Sequence, residues 1–496
     1  MALAHREAPF SAAGEEEPPL LDPDALARKN QIRNTWIAAF SNLSTAYNLV
    51  NINLAHVCME NQYCGGDNCK NAVTAAGTAC LVGAIFGQLT FGYVGDCLGR
   101  GRALQLTMVL SILGALVSGF AVPINSEDPS SVFTFLCISR FVLGIGVGGV
   151  YPLAATIAAE SSASANRGRS VSIVFSMQGV GTLLVPLVGM LLLYSLGDDL
   201  HRRKNGLSIP GISWRLMLGL GALPGMILLR FKTSSAAETS PAASPRPAGQ
   251  SLTLMQALGM RRYWPKLVGC AGGWFLFDIT FYGNTLFAPT VLEDVFKSST
   301  SGIPLTGKTL STNLCWQLTL LALIGLPGYY VSVWQMDKLG RKNIQLQGFV
   351  MMAVLYGALG LWMDDLEGNA AVLMLIYGLT YFFSSFGPNS TTFILPSESF
   401  PREVRSSLNG FCAAMGKLGA TVGSACFKPI ISAAGTSAVF FLCAGCAALG
   451  VVVTVFFIDD LRGREMEGDG DDRETQSSRG CSRDVQSMAG VEAMRL

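Results

Sequence analysis

Charged residues are scarce in this sequence of 496 residues. Lysine, arginine, aspartate and glutamate make up 14% of it, whereas about 25% is usual for soluble globular proteins. The 35 basic and 34 acidic residues leave a net charge of +1, so neither sign dominates. These values argue against a water-soluble enzyme, a disordered scaffold and a nucleic-acid-binding protein.

Histidine is scarcer still, with three residues in the chain. The sequence shows no cluster of cysteine and histidine of the kind that binds zinc. It also shows no nucleophile paired with a base inside an apolar segment. We therefore predict no metal, no cofactor and no enzymatic activity.

Long apolar segments dominate instead, and half of all residues are hydrophobic. Because about 20 apolar residues cross a bilayer as a helix, the sequence predicts an all-α, multi-pass membrane protein with twelve spans. The predicted spans are 34–58, 72–95, 102–124, 132–158, 168–196, 213–231, 265–293, 311–334, 343–363, 370–394, 404–431 and 436–458.

The longest linker follows span 6 and contains SSAAETSPAASPRPAGQS, a composition typical of a flexible joint. It divides the spans into two sets of six. The predicted organisation is a disordered N-terminus 1–33, a six-helix bundle 34–231, a linker 232–263, a second six-helix bundle 264–458 and a tail 459–496.

Basic residues are concentrated in the loops on the side of the chain termini, which predicts that both termini face the cytoplasm. We expect the plasma membrane or, as the alternative, an internal membrane. Cys64 and Cys69 share a short loop on the opposite side. They can form a disulfide if that loop faces an oxidising space, and are two free thiols otherwise.

The two sets of spans repeat one turn. A D-x-x-G-R pattern follows span 2 and recurs after span 8. An acid at a helix end and basic residues in a tight turn can join neighbouring spans through ion pairs. Such a matched pair of turns favours a transporter built from internal repeats. The residues are Asp96, Gly99 and Arg100 in the first turn, and Asp337, Gly340 and Arg341 in the second.

Two ionisable side chains lie deep inside predicted spans. Asp278 is about 21 Å along span 7, and Lys417 is about 18 Å past Arg405 in span 11, near the centre of a core about 30 Å thick. Charges at this depth indicate function. We expect an ion pair whose lysine an arriving anion can engage. The alternative is a structural pair that only joins spans 7 and 11.

Polar and aromatic residues accompany this pair. Trp274, Asp278 and Tyr282 are spaced by four residues, so they share one helix face. The alternative interpretation of such a stripe is helix packing. Three further candidates lie beside helix breaks or mid-span, where transporter sites are built, although an amide there can also serve as a helix–helix hydrogen bond. They are Tyr151, Gln178 and Asn389.

The motifs resemble those of the major facilitator superfamily, and Arg140 begins an R-x-x-x-G-x-G-x-G run like its second signature. The run GGVYPLAATI at 148–157 is similar to an element of the phosphate:proton symporter family. Segments at 174–181, 214–225, 277–287 and 382–401 continue the match in order. The resemblance implies twelve helices in two six-helix halves and proton-coupled phosphate uptake by alternating access.

The resemblance also implies site residues. Those that match the family's phosphate ligands, with its span-11 lysine, are Tyr151, Gln178, Trp274, Asp278, Tyr282, Asn389 and Lys417. Asn48 and Val150 stand where the family has acids, which leaves proton coupling open and makes Asp278 the candidate proton carrier. Partners are then inorganic phosphate, the lipid bilayer and, if coupled, protons. Alternatives are a glycerophosphodiester transporter and a phosphate-binding nutrient sensor.

Overall fold

The computed structural model describes residues 23–63, 70–124, 131–196, 211–230, 252–297, 307–366, 369–464 and 466. Within these residues the regular structure is helical. The α-helices are α1 (Pro23–Tyr63), α2 (Lys70–Leu98), α3 (Arg100–Gly119), α4 (Ser131–Glu160), α5 (Arg167–Leu196), α6 (Ile212–Gly219), α7 (Leu223–Leu229), α8 (Leu254–Gly259), α9 (Trp264–Lys297), α10 (Gly307–Leu339), α11 (Arg341–Leu366), α12 (Ala370–Ser385), α13 (Pro388–Ser399) and α14 (Arg405–Phe457).

Nine segments in the described part of the chain are long and apolar enough to cross a membrane. One of them, α14, has 53 residues, so its length of about 80 Å is well over twice the bilayer core. It bends at Gly435, where φ is 82°, and this bend falls between predicted spans 11 and 12. The helices α1 and α9 are not among the nine, and the count of twelve spans stays a prediction.

One predicted boundary differs from the structure. The N-terminus was expected to be disordered to residue 33, but α1 begins at Pro23, because proline is favoured in a first helical turn and the ALARK run that begins in that turn forms helix readily. The predicted linker 232–263 contains α8, which follows the segment that was expected to be flexible. Thr253 and Gln256 form a capping box that stabilises α8. Residues 231–251 and the predicted Cys64–Cys69 pair lie outside the described residues.

Two predicted spans are interrupted. Span 10 breaks at Gly387, between α12 and α13, and α13 continues to Ser399 rather than ending at 394. Span 6 is interrupted by a 3₁₀ turn, Leu220–Ala222, between α6 and α7. There the Tyr47 hydroxyl donates to the Met217 carbonyl at 3.0 Å, and Asn48 Nδ2 donates to the Gly221 carbonyl at 2.8 Å. Side chains of α1 thus bind the backbone at this break, as apolar surroundings require.

The chain forms a first half (α1–α7) and a second half (α9–α14), which meet through α2 against α14 and through α5 against α10. Close approach of α2 and α14 depends on glycine. A Cβ atom at Gly92 would lie 2.6 Å from the Ser406 carbonyl oxygen, and one at Gly410 would overlap the Gln88 carbonyl oxygen. The halves are therefore tightly closed at the end where α1 begins, α2 ends and α14 begins, which we call the terminal end.

Candidate anion-binding site

The structure brings the two predicted mid-span charges into contact. Lys417 Nζ lies 2.9 Å from Asp278 Oδ2, and each residue is only 2% exposed. Lys417 is 12 residues from the start of α14 and Asp278 is 14 residues from the start of α9. These helices run side by side, so similar spacings from their first residues place both groups at similar depth, about 18–21 Å from the terminal end.

Tyrosine rings from both halves cover the lysine. Its Nζ lies 4.1 Å from the ring centre of Tyr282 and 5.1 Å from that of Tyr151, within the range of cation–π attraction. The Tyr151 hydroxyl donates to Gln178 Oε1 at 2.9 Å. Because Tyr151 and Gln178 belong to the first half, the second half's ammonium group sits directly at the interface between the halves.

Trp274 and Asn389 complete the predicted set. The Trp274 ring contacts the Tyr151 ring edge-on, with centroids 6.5 Å apart, and Gly416 in α14 leaves room for the indole. Asn389 Nδ2 donates to the Tyr329 hydroxyl at 2.8 Å. All seven predicted site residues are thus buried around one point between the halves.

Two residues of this cluster were not predicted from the sequence. Tyr329 of α10 binds Asn389, and Phe393 of α13 packs against the rings of Tyr151, Trp274 and Phe175 with centroids 4.6–6.5 Å apart. Tyr329 follows Pro327 and Gly328 in span 8, a signal of the kind that singled out Asn389. Phe393 carries no such signal, because phenylalanine is frequent throughout the chain.

A cavity adjoins the cluster on the side away from the terminal end. Tyr151, Gln178, Tyr282 and Tyr329 form part of its wall, and most other lining residues are apolar. Lys417 and Asp278 do not line it. An arriving anion was expected to engage the lysine of the ion pair, but a tyrosine layer separates the pair from the cavity, because the cation attracts the rings onto itself.

The first half contributes no carboxylate at this depth among its described residues. Val150 is fully buried. Asn48 Nδ2 donates to the carbonyls of Ser44, at 2.9 Å, and Gly221. These two bonds hold the Asn48 side chain at the interruption of span 6 and away from the cavity. An ionised acid could not make them, because it has no hydrogen to donate.

The first signature turn joins the two halves at the terminal end. Arg100 lies 3.2 Å from both Asp96 and Glu160, and Glu160 also pairs with Arg405 of the second half at 3.1 Å. Asp96 accepts hydrogen bonds from the Ser407 backbone N–H at 2.8 Å and hydroxyl at 2.6 Å. The acid therefore caps α14 across the interface. We call these five residues the first charge cluster.

The second signature turn repeats this arrangement in the opposite direction. Arg341 lies 3.0 Å from Asp337 and 2.8 Å from Glu398. Asp337 accepts a hydrogen bond from the Arg169 backbone N–H, at 2.9 Å, in the first turn of α5. We call these four residues the second charge cluster. The turns themselves depend on glycine, since φ is 92° at Gly99 and 86° at Gly340.

No metal-binding group of histidine, cysteine, aspartate and glutamate occurs among the residues that the structure describes. The one C-x-x-C spacing in the sequence, Cys443 and Cys446, lies within the apolar helix α14 as two free thiols. Such buried cysteines behave as small apolar residues.

Comparison with known proteins agrees with this architecture. Residues 36–424 and 316–480 match the Major Facilitator Superfamily. The chain is 33% identical over 433 residues to the "Probable inorganic phosphate transporter 1-6" of Arabidopsis thaliana, covering 78% of this chain and 82% of the relative. It is 34% identical over 451 residues to the "Inorganic phosphate transporter 1-6" of Oryza sativa subsp. japonica, covering 80% and 83%.

Solved structures resemble the fold at lower identity. The proton:xylose symporter XylE aligns with a TM-score of 0.70 at 19% identity, covering 89% of this chain and 98% of XylE. The E. coli fucose:proton symporter FucP aligns with a TM-score of 0.61 at 12% identity, covering 86% and 98%. These likenesses confirm the predicted fold. The chain therefore belongs to the Major Facilitator Superfamily and, within it, to the same family as the inorganic phosphate transporters.

Proposed function

We propose that this protein is a secondary active transporter that moves inorganic phosphate across a membrane by alternating access. The observation that carries the proposal is the buried Lys417–Asp278 pair at the interface between the halves, surrounded by tyrosine, tryptophan and amide groups. Its sequence relatives named as inorganic phosphate transporters support the choice of substrate.

The cluster offers the chemistry that dihydrogen phosphate needs. Lys417 supplies positive charge, and the Tyr151, Tyr282 and Trp274 side chains supply N–H or O–H donors for phosphate oxygens. Asp278 supplies an acceptor for a P–O–H group, which sulfate lacks at neutral pH, so it favours phosphate over sulfate. An entering phosphate competes with Asp278 for the ammonium group and must first displace the tyrosine rings.

The observed conformation corresponds to one stage of such a cycle. Both charge clusters hold the terminal end closed, while the cavity lies on the opposite side of the tyrosine layer. In the proposed topology the protein is a multi-pass protein of the plasma membrane, and its termini, and so the closed end, face the cytoplasm. The bundles 34–231 and 264–458 rock about the site during the cycle. Asp278 is the proposed proton carrier if transport is proton-coupled.

Phosphate uptake into liposomes that contain the purified protein tests this proposal. We expect uptake by the unchanged protein and its loss in Lys417→Ala and Asp278→Asn. Lys428→Ala is the matched control, because Lys428 is an exposed lysine of the same helix, and should transport normally. Normal uptake by both site variants would contradict the site, and absence of uptake by the unchanged protein would contradict the function.

One observation favours the second candidate, an organic-phosphate transporter. The cavity beside Tyr151 and Tyr282 has a mostly apolar lining contributed by helices from α1 to α12, which suits an attached organic group better than a free phosphate ion. Competition of labelled phosphate uptake by a glycerophosphodiester distinguishes the two. Strong competition would support the organic substrate, and absence of competition would support inorganic phosphate.

A further inference from the structure

Arg140 of α4 differs from other buried cations of this protein. It is fully buried, yet in the part of the chain that the structure describes no carboxylate lies within 4.0 Å of its guanidinium group. Three other buried cations do have a carboxylate partner. The pairs are Lys417 with Asp278, Arg405 with Glu160, and Arg341 with Glu398.

The groups that do bind Arg140 are neutral. Its Nη2 donates to the Asn48 carbonyl at 2.8 Å and to Asn51 Oδ1 at 3.1 Å. Its Nε and Nη1 have no hydrogen-bond partner among the described residues. The positive charge of Arg140 is therefore solvated in part but not neutralised, and a cation in this state is costly inside a membrane and is kept there for a function.

The position of Arg140 relates this charge to the candidate site. Leu49, Val50 and Asn53 of α1 line the cavity, whereas Asn48 and Asn51 of the same helical segment contact the arginine. Arg140 therefore lies on the other side of one helix from the cavity, about 10 Å away. At that range in a low-dielectric interior, one charge changes the affinity for an anion substantially.

The buried charges around the site and the cavity then add up to a simple balance. Asp278 cancels Lys417, since the two are paired, and Arg140 leaves one positive charge uncompensated. A monovalent anion that enters brings the sum to zero. Since an uncompensated charge inside the membrane is unfavourable, the loaded state is electrostatically favoured over the empty one.

We propose that Arg140 raises the affinity for the substrate anion through its uncompensated charge, without touching the anion. This inference rests on the proposed phosphate transport. The competing explanation is that Arg140 only ties α4 to α1 through its hydrogen bonds to Asn48 and Asn51. The two explanations make opposite predictions for a carboxylate placed beside the guanidinium group.

Asn51→Asp provides that carboxylate with almost no change in shape, at the atom that lies 3.1 Å from Nη2. It neutralises the arginine and strengthens that contact, but it removes the Nδ2 group that donates to the Met217 carbonyl at 3.4 Å. We expect a modest loss of thermal stability, while KM for phosphate uptake rises roughly sixfold. This is the effect of one charge about 16 Å from the site, the separation of Arg140 and Tyr151 along α4, with an effective dielectric constant near 20. An unchanged KM would overturn the inference.

A control variant and a second pair of variants accompany this test. Asn343→Asp adds the same charge at an exposed position in the first turn of α11, at the terminal end, and should leave KM unchanged. Should Asn51→Asp fail to fold, Arg140→Lys and Arg140→Gln replace it, and KM should rise in Arg140→Gln alone. Uptake by the unchanged protein with equal KM in all variants defeats the inference but not the proposed transport.

Discussion

Asp96 and Asp337 occupy equivalent positions in the two halves, and each accepts a backbone hydrogen bond from the first turn of a helix in the opposite half. Each also pairs with an arginine four residues on. At the site the equivalence is lost, because the paired charges Asp278 and Lys417 both belong to the second half. The terminal end is built symmetrically and the site is not.

This difference follows from what each region has to do. Contacts across the interface at the terminal end are charged and hold the halves together. Those across the interface at the site are aromatic, such as Tyr151 against Lys417 and Trp274, and such contacts are worth about 1 kcal/mol each. If the halves move as units, rocking breaks the charge clusters and slides the rings, but leaves the Lys417–Asp278 pair intact for the ligand.

A substitution that prevents closure at the terminal end should have the largest effect on phosphate uptake. Gly410→Ala places a methyl group against the Gln88 backbone, where no side chain can rotate away. We expect a destabilisation of about 1–3 kcal/mol for the overpacked interface and a loss of most phosphate uptake. Hydrogen exchange of the first turn of α14 should accelerate, because its capping by Asp96 is lost.

Gly445→Ala is the control for this substitution. Gly445 lies in the same helix with open space around it, so a methyl group there should leave both uptake and hydrogen exchange unchanged. If Gly410→Ala behaves like this control, the close approach of α2 and α14 is not needed for the cycle, and the terminal end is not the symmetric closure described above.

The two charge clusters should differ in strength despite their shared pattern. Asp96 accepts hydrogen bonds from the Ser406 N–H and from the Ser407 N–H and hydroxyl, and its side chain is 8% exposed. Asp337 accepts one such bond across the interface and is 24% exposed. We expect Asp96→Asn to lower stability by about 2 kcal/mol and Asp337→Asn by about 1 kcal/mol.

Thermal unfolding of the two variants in one detergent measures this difference. A larger loss in Asp337→Asn, or equal losses, would show that the number of capping hydrogen bonds does not set the strength of each cluster. The asymmetry of the protein would then be confined to the site alone.

Much of this architecture could be predicted from the sequence. Hydropathy and helix length fix where spans lie and how deep a residue sits, so the contact of Asp278 with Lys417 could be expected from depth and opposite charge. The D-x-x-G-R turns likewise carry their acid, arginine and glycine at fixed spacing. These features depend on local sequence and on the thickness of a bilayer.

The remaining features depend on which neighbour each helix face meets. The sequence does not show that Tyr329 reaches Asn389, that Asn48 binds a broken span, or that Tyr151 and Tyr282 close over Lys417. Such contacts are set by the rotation of helices about their axes and by partners more than 100 residues distant for Asn48 and Tyr151. Packing, rather than periodicity, decides them.

The smallest expected effect concerns the aromatic contact across the site. Tyr151→Phe removes the hydroxyl that donates to Gln178 but keeps the ring over Lys417. Loss of one hydrogen bond is worth about 1 kcal/mol, so KM for phosphate uptake should rise roughly fivefold while the maximal rate changes little. Tyr330→Phe, on the exposed face of α10, should alter neither. Loss of uptake in Tyr151→Phe as complete as that expected for Lys417→Ala would contradict this small contribution and would mean that the hydroxyl is an indispensable donor to the phosphate.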